Sequence, residues 1–524
     1  MDYGFLSILP PLAAIVLAIA TRQVIVSMFV AIWLGASILN SNIITGFFRT
    51  VDTHLIYDGI AKDGGWYAGI IVFTLVIAGT LALVTKSGGA QAIAEAVALR
   101  AKNARGGMLG SFLMGLIVFF DDYSSCIIAG NTARPISDRL KISREKLSYI
   151  IDSTAAPIAT IALISTWIGF ELGVIADGYN AIGIENAPVY AIFLASIPYR
   201  FYSIFALAMV LIIAISMKDF GPMYHAEVRA RTTGKLLRDG ASPLAAEDTA
   251  LLVPTEATPK RWYNFVIPVL VIMVVMFAGL YVDGGGLEGG MSVTDAFSNA
   301  DSLNAMLWAS FLGCITALVL VLVQRLISLQ EAVDTIITGA KAVLPACIIL
   351  VLAWSLSSVT SELGAANYLV GLIEGSGLAA PLLPLVIFLI SCMMAFAMGT
   401  SWGTMGIVTP LAIPIALALG GESFLIPTLG AVLTGAIFGD HCSPISDTTI
   451  LSSTGAGSDH IDHVRTQIPY AITGAVVAAV FGFLPAGFGV HPLISIVLGI
   501  AALIIFVRFV GKSTENAETI AANK

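Results

Sequence analysis

Long apolar segments separated by short polar ones are the feature that most constrains the fold of this chain. Such segments include residues 70–84, 265–281, 307–323 and 494–507. A helix needs about twenty apolar residues to cross the hydrocarbon core of a bilayer, and these segments reach that length with their weakly polar flanks. We therefore predict an all-α, polytopic membrane protein.

Charge is correspondingly sparse. Asp, Glu, Lys and Arg make up 11% of the 524 residues, whereas a soluble domain usually carries about 25%. The net charge is −8 and no block of basic residues occurs, so we expect no nucleic-acid partner. The five cysteines are scattered through apolar segments and are interpreted as small buried side chains. Residues 5–20 follow an acidic rather than a basic start and are predicted to be a retained first span.

Loop charges predict the orientation of the spans, because cytoplasmic loops of membrane proteins are enriched in Lys and Arg. Basic clusters occur at residues 86–105, 134–146 and 218–261, which we assign to the cytoplasm together with the C-terminus. The segments assigned to the outside are acidic or poor in Lys and Arg, and they are 52–63, 177–185, 283–301, 362–374 and 422. The expected location is the cell membrane, in particular a bacterial plasma membrane.

Two segments conflict with single crossings of the membrane. Residues 106–133 lie between two cytoplasmic clusters, and residues 379–419 lie between two outside loops. We predict a re-entrant hairpin in each, entering from opposite faces, because an arm of roughly fourteen residues rising about 1.5 Å per residue reaches mid-membrane. The predicted tips are residues 120–125 and 399–404. Non-helical backbone at that depth has to be buried in protein or line water.

Short matches between the two halves of the chain predict an internal repeat. Residues 153–160 and 440–447 each combine a Pro-Ile pair with polar side chains inside an apolar stretch. Three further matches follow in the same chain order, and they pair 84–85 with 359–360, 123–125 with 402–404, and 197–199 with 468–470. Together with opposite loop charges at matching positions, they predict an inverted-topology repeat with broken helices at the midplane.

The predicted organisation has about eleven spans plus the two hairpins. Its parts are a first repeat at residues 1–217, a cytoplasmic linker loop at 218–260, a second repeat at 261–487 and an extra C-terminal helix and tail at 488–524. Amphipathic segments at 91–99 and 367–373 precede the hairpins. They are interpreted either as links between a moving and a fixed block or as simple surface helices.

Ionisable and hydroxyl side chains concentrate at the predicted breaks and tips. An ionisable residue at membrane depth costs about 2.5–3.5 kcal/mol on insertion scales, so these residues are functional candidates. Carboxylates, hydroxyls and the carbonyls freed by a broken helix are the oxygens that hold sodium. The predicted substrate- and ion-binding residues are Asp121, Asp122, Ser124, Ser125, Asp152, Ser153, Thr154, Thr400, Ser401, Thr404, Asp440, His441, Ser443, Ser446 and Asp447.

Within this set we expect sodium at Asp152, Asp440 and Asp447, and no other cofactor. Two close carboxylates do not both ionise cheaply, so a proton and a cation compete for them. Only one of Asp121 and Asp122 is expected to face the site, because successive helical residues point about 100° apart. The second break has two carboxylates where the first has hydroxyls, so we expect the second half to hold the cation more tightly.

Other polar residues keep competing interpretations. His441 is either a proton-sensing group or a neutral ring that bonds the hairpin backbone. Glu171 is expected near the outer surface in a structural or gating role. Residues 460–465 contain metal-ligand types, but a solvated cytoplasmic loop is the preferred interpretation. No phosphate-binding loop or hydrolase triad is apparent, so we expect no enzymatic activity.

Four segments, at residues 119–123, 134–138, 146–157 and 439–449, resemble motifs of the NhaC-type sodium/proton antiporters. The similarity runs over most of the chain. This family belongs to the ion-transporter superfamily of secondary carriers. The resemblance implies an inverted repeat with re-entrant hairpins, often a homodimer with scaffold and transport blocks, and elevator-like alternating access.

The expected function is secondary active transport, with sodium/proton antiport by alternating access as the main hypothesis. Sodium, protons and the lipid bilayer are the expected partners. Related proteins include sodium-coupled exchangers of organic acids, and the hydroxyls at residues 124–125 and 400–401 also suit a carboxylate. The alternative is therefore a sodium- or proton-coupled carrier or exchanger of a small organic carboxylate or amino acid. A passive channel, the third class, has no need of two closed hairpins.

Overall fold

The computed structural model is almost entirely helical. It describes residues 3–21, 23–61, 65–89, 91–92, 95, 101–119, 122–163, 165–184, 187–243, 258–287, 296, 300, 302–365, 368, 379–444 and 446–515. Asp121, most of the two predicted amphipathic segments and residues 244–257 of the predicted linker lie outside the described residues. So do the side chains of Ser124 and Asp447.

The first half of the chain folds into short and long helices in alternation. Their bounds are α1 Leu9–Thr21, α2 Val24–Leu39, α3 Ile43–Arg49, α4 Trp66–Lys86, α5 Ala104–Ile117, α6 Asp122–Arg139, α7 Arg144–Ser153, α8 Ala156–Ala159, α9 Thr166–Asn180, α10 Val189–Ser196 and α11 Phe201–Ser216. A π-helix, Thr50–Ala61, continues α3, and 3-10 turns occur at Gly4–Ile8 and Ile197–Tyr199.

The second half also consists of short and long helices, and it follows a helix in the predicted linker. The bounds are α12 Gly221–Thr233, α13 Tyr263–Asp283, α14 Ser302–Val323, α15 Leu329–Ala342, α16 Leu344–Glu362, α17 Leu383–Met398, α18 Ser401–Gly420, α19 Glu422–Cys442, α20 Asp447–Ala456, α21 His460–Val477, α22 Leu484–Gly487 and α23 Pro492–Val510. A 3-10 turn at Ala380–Leu382 and a π-helix at Ala478–Phe483 complete it. The strands β1 Lys218–Asp219 and β2 Lys512–Ser513 pair antiparallel, so the C-terminal segment lies on the linker face.

The number of apolar helices is close to the prediction, although the count includes both arms of the second predicted hairpin, Ala380–Met398 and Ser401–Gly420. Among the described residues, eight helices are long and apolar enough to cross a membrane, and eleven spans result when each bent helix pair counts as one. The sharpest bend, 120°, separates α2 from α3 and its π-helical continuation. The predicted class, an all-α polytopic membrane protein with broken helices, is therefore confirmed.

Both predicted helix breaks are present. The first lies between α7, which ends at Ser153, and α8, which begins at Ala156. The second lies between α19, which ends at Cys442, and α20, which begins at Asp447. Pro157 occupies the first turn of α8, where the absence of a backbone N–H leaves no hydrogen bond unmade. The Pro-Ile matches between the two halves thus mark the points where helices are interrupted.

Helix–turn–helix units occur where the two hairpins were predicted. The first consists of α5 and α6, and the second of α17 and α18. Gly399 closes α17 at φ 71°, a left-handed backbone conformation that costs other residues energy. The chain therefore turns within two residues and α18 begins at Ser401, inside the predicted tip.

Each hairpin packs against a helix that lies beyond the break of the other half: α20 directly follows the second break, and α9 is the long helix that comes after α8. Helix α6 lies on α20, where a Cβ added at Gly130 would meet the carbonyl carbon of Gly455 at 2.7 Å. Helix α18 lies on α9, where the ring of Trp402 is 4.5 Å from Trp167 and 4.8 Å from Phe170 between centroids. This crossed packing joins the hairpins and the breaks into one core.

Part of the basic segment assigned to a cytoplasmic loop is buried. Lys146 is fully buried and forms an ion pair with Asp219, which also accepts a hydrogen bond from the Tyr470 hydroxyl at 2.6 Å. Glu227 of α12 accepts hydrogen bonds from the backbone N–H and the Oγ of Ser143, both at 2.8 Å. Buried charges are stable only when paired, so these contacts fix the linker helix onto the helix that leads to the first break.

Candidate ion-binding site

The carboxylate of Asp440 is the centre of the second break. Asp440 lies in the last turn of α19 and is 2% exposed. Its Oδ2 accepts a hydrogen bond from Ser401 Oγ, and its Oδ1 accepts one from Ser446 Oγ, each at 2.5 Å. Ser401 belongs to the second hairpin tip, whereas Ser446 caps α20 and lies 3.0 Å from Thr448 Oγ1. The tip and both ends of the break therefore meet at one carboxylate.

The carboxylate of Asp152 is the first-half counterpart. Asp152 lies next to the end of α7 and is 1% exposed. Its Oδ2 accepts hydrogen bonds from Thr449 Oγ1 at 3.1 Å and from Gln467 Nε2 at 2.6 Å. Both donors belong to the second half of the chain, so the two halves meet at this side chain.

Two residues join the carboxylates into one network. The hydroxyl of Thr449 lies 3.5 Å from the backbone carbonyl oxygen of Asp440 as well as bonding Asp152. The amide of Gln467 donates to the backbone carbonyl of His441 in addition to Asp152. Thr449 and Gln467 therefore connect the Asp152 carboxylate to the backbone at the end of α19.

His441 bonds the first half of the chain and not the hairpin backbone. Its Nε2 lies 3.1 Å from Ser153 Oγ, and its Nδ1 lies 2.7 Å from the hydroxyl of Tyr202. The ring is 2% exposed and Ser153 is fully buried. One of the two interpretations was a hydrogen bond from the ring to the hairpin backbone. The described partners are instead side chains of the first half, so the ring connects the second break to the first.

Fewer of the predicted site residues are described in the first hairpin than in the second. Asp122 and Ser125 are buried at the start of α6. The neighbouring Cys126 has its Sγ 3.7 Å from the backbone carbonyl oxygen of Thr448, which lies beside the second break. The first hairpin therefore approaches the site through the turn of helix that carries Asp122.

Several predicted hydroxyls are used within their own helices. Thr154 Oγ1 donates to the carbonyl of Ile150 at 2.8 Å, and Thr404 Oγ1 donates to that of Thr400 at 3.2 Å. Thr400 itself is half-buried, and Ser443 is buried within the second break. The hydrogen bonds of Thr154 and Thr404 are those of hydroxyls at helix ends and turns.

The site contains residues that the sequence did not single out. Thr449 and Gln467 are both buried and both bond Asp152. One signal was available: Gln467 directly precedes the Ile-Pro-Tyr segment at 468–470 that matches the first half. The spacing gave no reason to connect it with a residue so distant along the chain.

The prediction of a solvated loop at residues 460–465 is wrong. These residues form the first turns of α21, and His463 is fully buried with its Nε2 2.8 Å from Gln467 Oε1. Asp462 forms an ion pair with Arg238 at 2.9 Å on the linker side. The metal-ligand types in this segment thus point to different partners, because a helix spreads consecutive residues around its axis.

Glu171, for which a structural or gating role is predicted, lies inside the protein. Glu171 is completely buried in α9 and forms an ion pair with Arg200 at 2.8 Å. Arg200 also donates to Ser196 Oγ at 3.0 Å and to the backbone carbonyl of Thr160. The pair therefore ties the segment after the first break to the start of α11, which is a structural role.

Replacing Arg200 by Met is expected to lower stability markedly, because it leaves the Glu171 carboxylate buried without its partner. Removal of one partner of a buried ion pair typically costs about 3–5 kcal/mol. The thermal unfolding midpoint of the detergent-purified variant should fall well below that of the unmodified protein. The double variant Glu171→Leu/Arg200→Met should recover part of the loss. An unchanged midpoint in Arg200→Met contradicts the structural role.

A second polar cluster lies away from the breaks. His54, Asp58 and Glu362 each place one potential ligand atom within 4.8 Å of the others, the one such group found among the described residues. His54 Nδ1 lies 2.9 Å from Asp58 Oδ2, and Ser358 Oγ donates to the same oxygen at 2.9 Å. These bonds fasten the π-helix at 50–61 to α16.

The chemistry of the donors at Asp152 and Asp440 suits a hard monovalent cation. The hydrogen-bond partners described for Asp440 are hydroxyls, and those for Asp152 are a hydroxyl and an amide. These contacts place carboxylate and hydroxyl oxygens side by side at both breaks. Sodium, which prefers oxygen ligands, fits this donor set.

Comparison with known proteins identifies the family of this chain. A family model described as the Na+/H+ antiporter family matches residues 158–488. This range includes Thr449 and Gln467, the second-half residues that bond the Asp152 carboxylate. The chain belongs to the Na+/H+ antiporter family. It is a secondary transporter of the antiporter class, and the resemblance noted from the four motifs is confirmed.

Similar proteins match either nearly the whole chain or a shorter part of it. An uncharacterised protein of Haemophilus influenzae is 34% identical over 512 residues, covering 97% of this chain and 95% of that protein. The malate-2H(+)/Na(+)-lactate antiporter of Bacillus subtilis is 39% identical over 110 residues, which are 20% of this chain and 22% of that protein. The solved YdaH transporter of Alcanivorax borkumensis shares the fold, with a TM-score of 0.53 and 14% identity over 85% of this chain and 90% of that one.

Proposed function

We propose that this chain exchanges sodium ions for protons at Asp152 and Asp440. The observation that carries the proposal is the convergence of two helix breaks, one from each half, on two buried carboxylates. Asp440 takes two hydroxyl hydrogen bonds at 2.5 Å, and Asp152 bonds residues of the opposite half. Unwound helices that meet at membrane depth are the usual construction of ion sites in secondary carriers.

Competition for the same carboxylates provides the coupling. A buried carboxylate is stable either when protonated or when it is paired with a cation, and not when it is bare. The hydroxyls of Ser401 and Ser446 are able to turn so that their oxygens face a cation beside Asp440. Sodium that enters therefore displaces protons, and protons that return displace sodium. One site visited alternately by the two ions produces antiport.

The crossed packing of the hairpins supports alternating access through an inverted repeat. Each hairpin rests on a helix beyond the break of the other half, an arrangement compatible with two related halves in opposite orientation. The second tip reaches Asp440 through Ser401. We infer that the two hairpins and the two broken helices move as one block that exposes the site to either face, which is an elevator-like motion.

Sodium binding should release protons from the purified protein. When NaCl is added to detergent-solubilised protein in weakly buffered solution, we expect the medium to acidify with saturation, whereas choline chloride should have no effect. The released protons come from the carboxylates that sodium occupies. Sodium binding without proton release contradicts a shared site, and no sodium binding at all contradicts the proposed function.

Exchange involving a small organic carboxylate is the second candidate. It is favoured by the local match to the Bacillus subtilis protein whose name describes malate and lactate exchange. The buried hydroxyls around Asp440 are also groups that hold a carboxylate. A strict requirement for lactate, malate or an amino acid in sodium-dependent proton flux supports this candidate, and full flux with sodium alone supports the first.

A further inference from the structure

Two histidines on one side of α21 share a single hydroxyl. His460 and His463 are three residues apart, so their side chains lie on the same face of the helix. The Nδ1 atom of His463 is 2.8 Å from Ser453 Oγ, and the Nδ1 atom of His460 is 3.2 Å from the same oxygen. Ser453, on α20, therefore lies between the two rings within hydrogen-bond distance of both.

The inner end of this chain of groups faces the first-half carboxylate. His463 is fully buried, and its Nε2 lies 3.9 Å from Asp152 Oδ2. The same Nε2 is 2.8 Å from the amide oxygen of Gln467, whose amide nitrogen donates to Asp152 Oδ2 at 2.6 Å. The amide of Gln467 thus bridges the ring and the carboxylate and holds them side by side.

The outer end reaches the protein surface. His460 is partly exposed, and its neighbours Ile461 and Arg465 are exposed. Its Nε2 lies 2.7 Å from the backbone carbonyl oxygen of Pro444 in the second break. The residues Arg238 and Asp462 lie at the same end of α21, on the face that carries the linker and that the loop charges assign to the cytoplasm.

We infer that His460, Ser453 and His463 form a proton route between the cytoplasmic surface and Asp152, separate from the path of sodium. This inference rests on the proposed sodium/proton exchange. An imidazole accepts a proton on one nitrogen while it releases another from the second, and a hydroxyl relays a proton in the same way. The order of these groups is therefore an order in which one proton passes by successive transfers.

Each transfer keeps the number of protons constant. His460 Nε2 donates its hydrogen to the Pro444 carbonyl, so the arriving proton binds His460 Nδ1. From Nδ1 it passes to Ser453 Oγ, while the Ser453 hydroxyl proton leaves its hydrogen bond with the Thr449 carbonyl and passes to His463 Nδ1. His463 then releases its Nε2 proton to Asp152, which becomes the neutral acid as sodium leaves. The last gap, 3.9 Å, exceeds a hydrogen bond. A small rotation of the ring away from Gln467 or a bridging water closes it.

The inference is tested by comparing two modes of transport in the full-length protein in liposomes. Sodium/proton exchange needs proton delivery to Asp152, whereas exchange of 22Na+ for unlabelled sodium does not. For His463→Gln we expect sodium/proton exchange to slow at least about tenfold, because positioned acid–base groups contribute 10²–10⁴ in rate. Exchange of sodium for sodium should stay within about twofold of the unmodified protein, since no acid–base step is needed.

Ser453 provides a second and smaller change. Ser453→Ala removes the hydroxyl between the rings and should show the same split between the two modes, whereas Ser453→Thr keeps a hydroxyl and should retain exchange. His225→Gln, at an exposed histidine on α12, is the matched control and should leave both modes unchanged.

Three results are decisive. Equal slowing of both modes in His463→Gln and Ser453→Ala overturns the route, because it shows a merely structural role. Unchanged sodium/proton exchange in both variants overturns it as well. Absence of sodium/proton exchange in the unmodified protein is a different outcome, since it removes the proposed function and with it the route.

Discussion

Asp440→Asn is expected to abolish sodium-dependent proton exchange while leaving the protein folded in the membrane. The amide keeps one acceptor oxygen and can still hydrogen-bond the hydroxyls of Ser401 and Ser446, so the second break retains its shape. It removes the charge that holds the cation. Loss of one charge of a buried ionic contact costs about 3–5 kcal/mol, or a factor of a hundred or more in affinity.

The measurement is 22Na+ binding and exchange by purified Asp440→Asn in detergent and in liposomes. The control is Asp239→Asn, at an exposed carboxylate that forms an ion pair with Lys235, which should behave as the unmodified protein. A gel-filtration profile like that of the unmodified protein establishes that the variant is folded. Sodium affinity within a few-fold of normal in Asp440→Asn removes Asp440 from the site.

Asp152→Asn is expected to stop exchange with a different signature. The amide oxygen can still accept from Thr449 and Gln467, so the contact between the halves persists. The residue no longer accepts a proton, and antiport should fall by about a hundredfold or more, at the lower end of what a positioned acid–base group contributes. Sodium binding should weaken less than in Asp440→Asn, because the Asp440 carboxylate and the hydroxyls of Ser401 and Ser446 around it remain.

Paired titrations distinguish the two variants. Sodium binding to Asp152→Asn should still be saturable but should release fewer protons than binding to the unmodified protein. The conservative variant Asp152→Glu, which keeps a carboxylate, should retain part of the exchange. Normal sodium-driven exchange in Asp152→Asn shows that the first-half carboxylate takes no part in coupling.

The helix breaks and the turn at the second tip were predictable because their signals are local. Pro157 and Pro444 interrupt apolar stretches, and Gly399 permits the turn at the second tip. Each is a feature of a few adjacent residues, and backbone chemistry alone decides its effect. Loop charges added the side of the membrane on which each hairpin begins, which is a property of whole segments.

The partners of the carboxylates were not predictable because they depend on long-range packing. Nothing in the sequence connects Asp152 with Gln467, since the contact forms only when α21 crosses the first break. The burial of Lys146 was not predictable for the same reason. A lysine in a basic cluster is usually solvated, and this one is buried because it pairs with Asp219 of the linker. His463 was misplaced because hydrophilic residues at the start of a helix are difficult to distinguish from a loop.

Sodium-driven proton flux through the purified protein in liposomes is the most direct test of exchange at the paired helix breaks. With an acidic interior imposed and a fluorescent pH indicator inside, external NaCl should raise the internal pH rapidly for the unmodified protein. External choline chloride should not, and Asp440→Asn should show only the passive leak under either salt. Equal rates with sodium and choline, or an undiminished sodium response in Asp440→Asn, contradict sodium/proton exchange at the paired helix breaks.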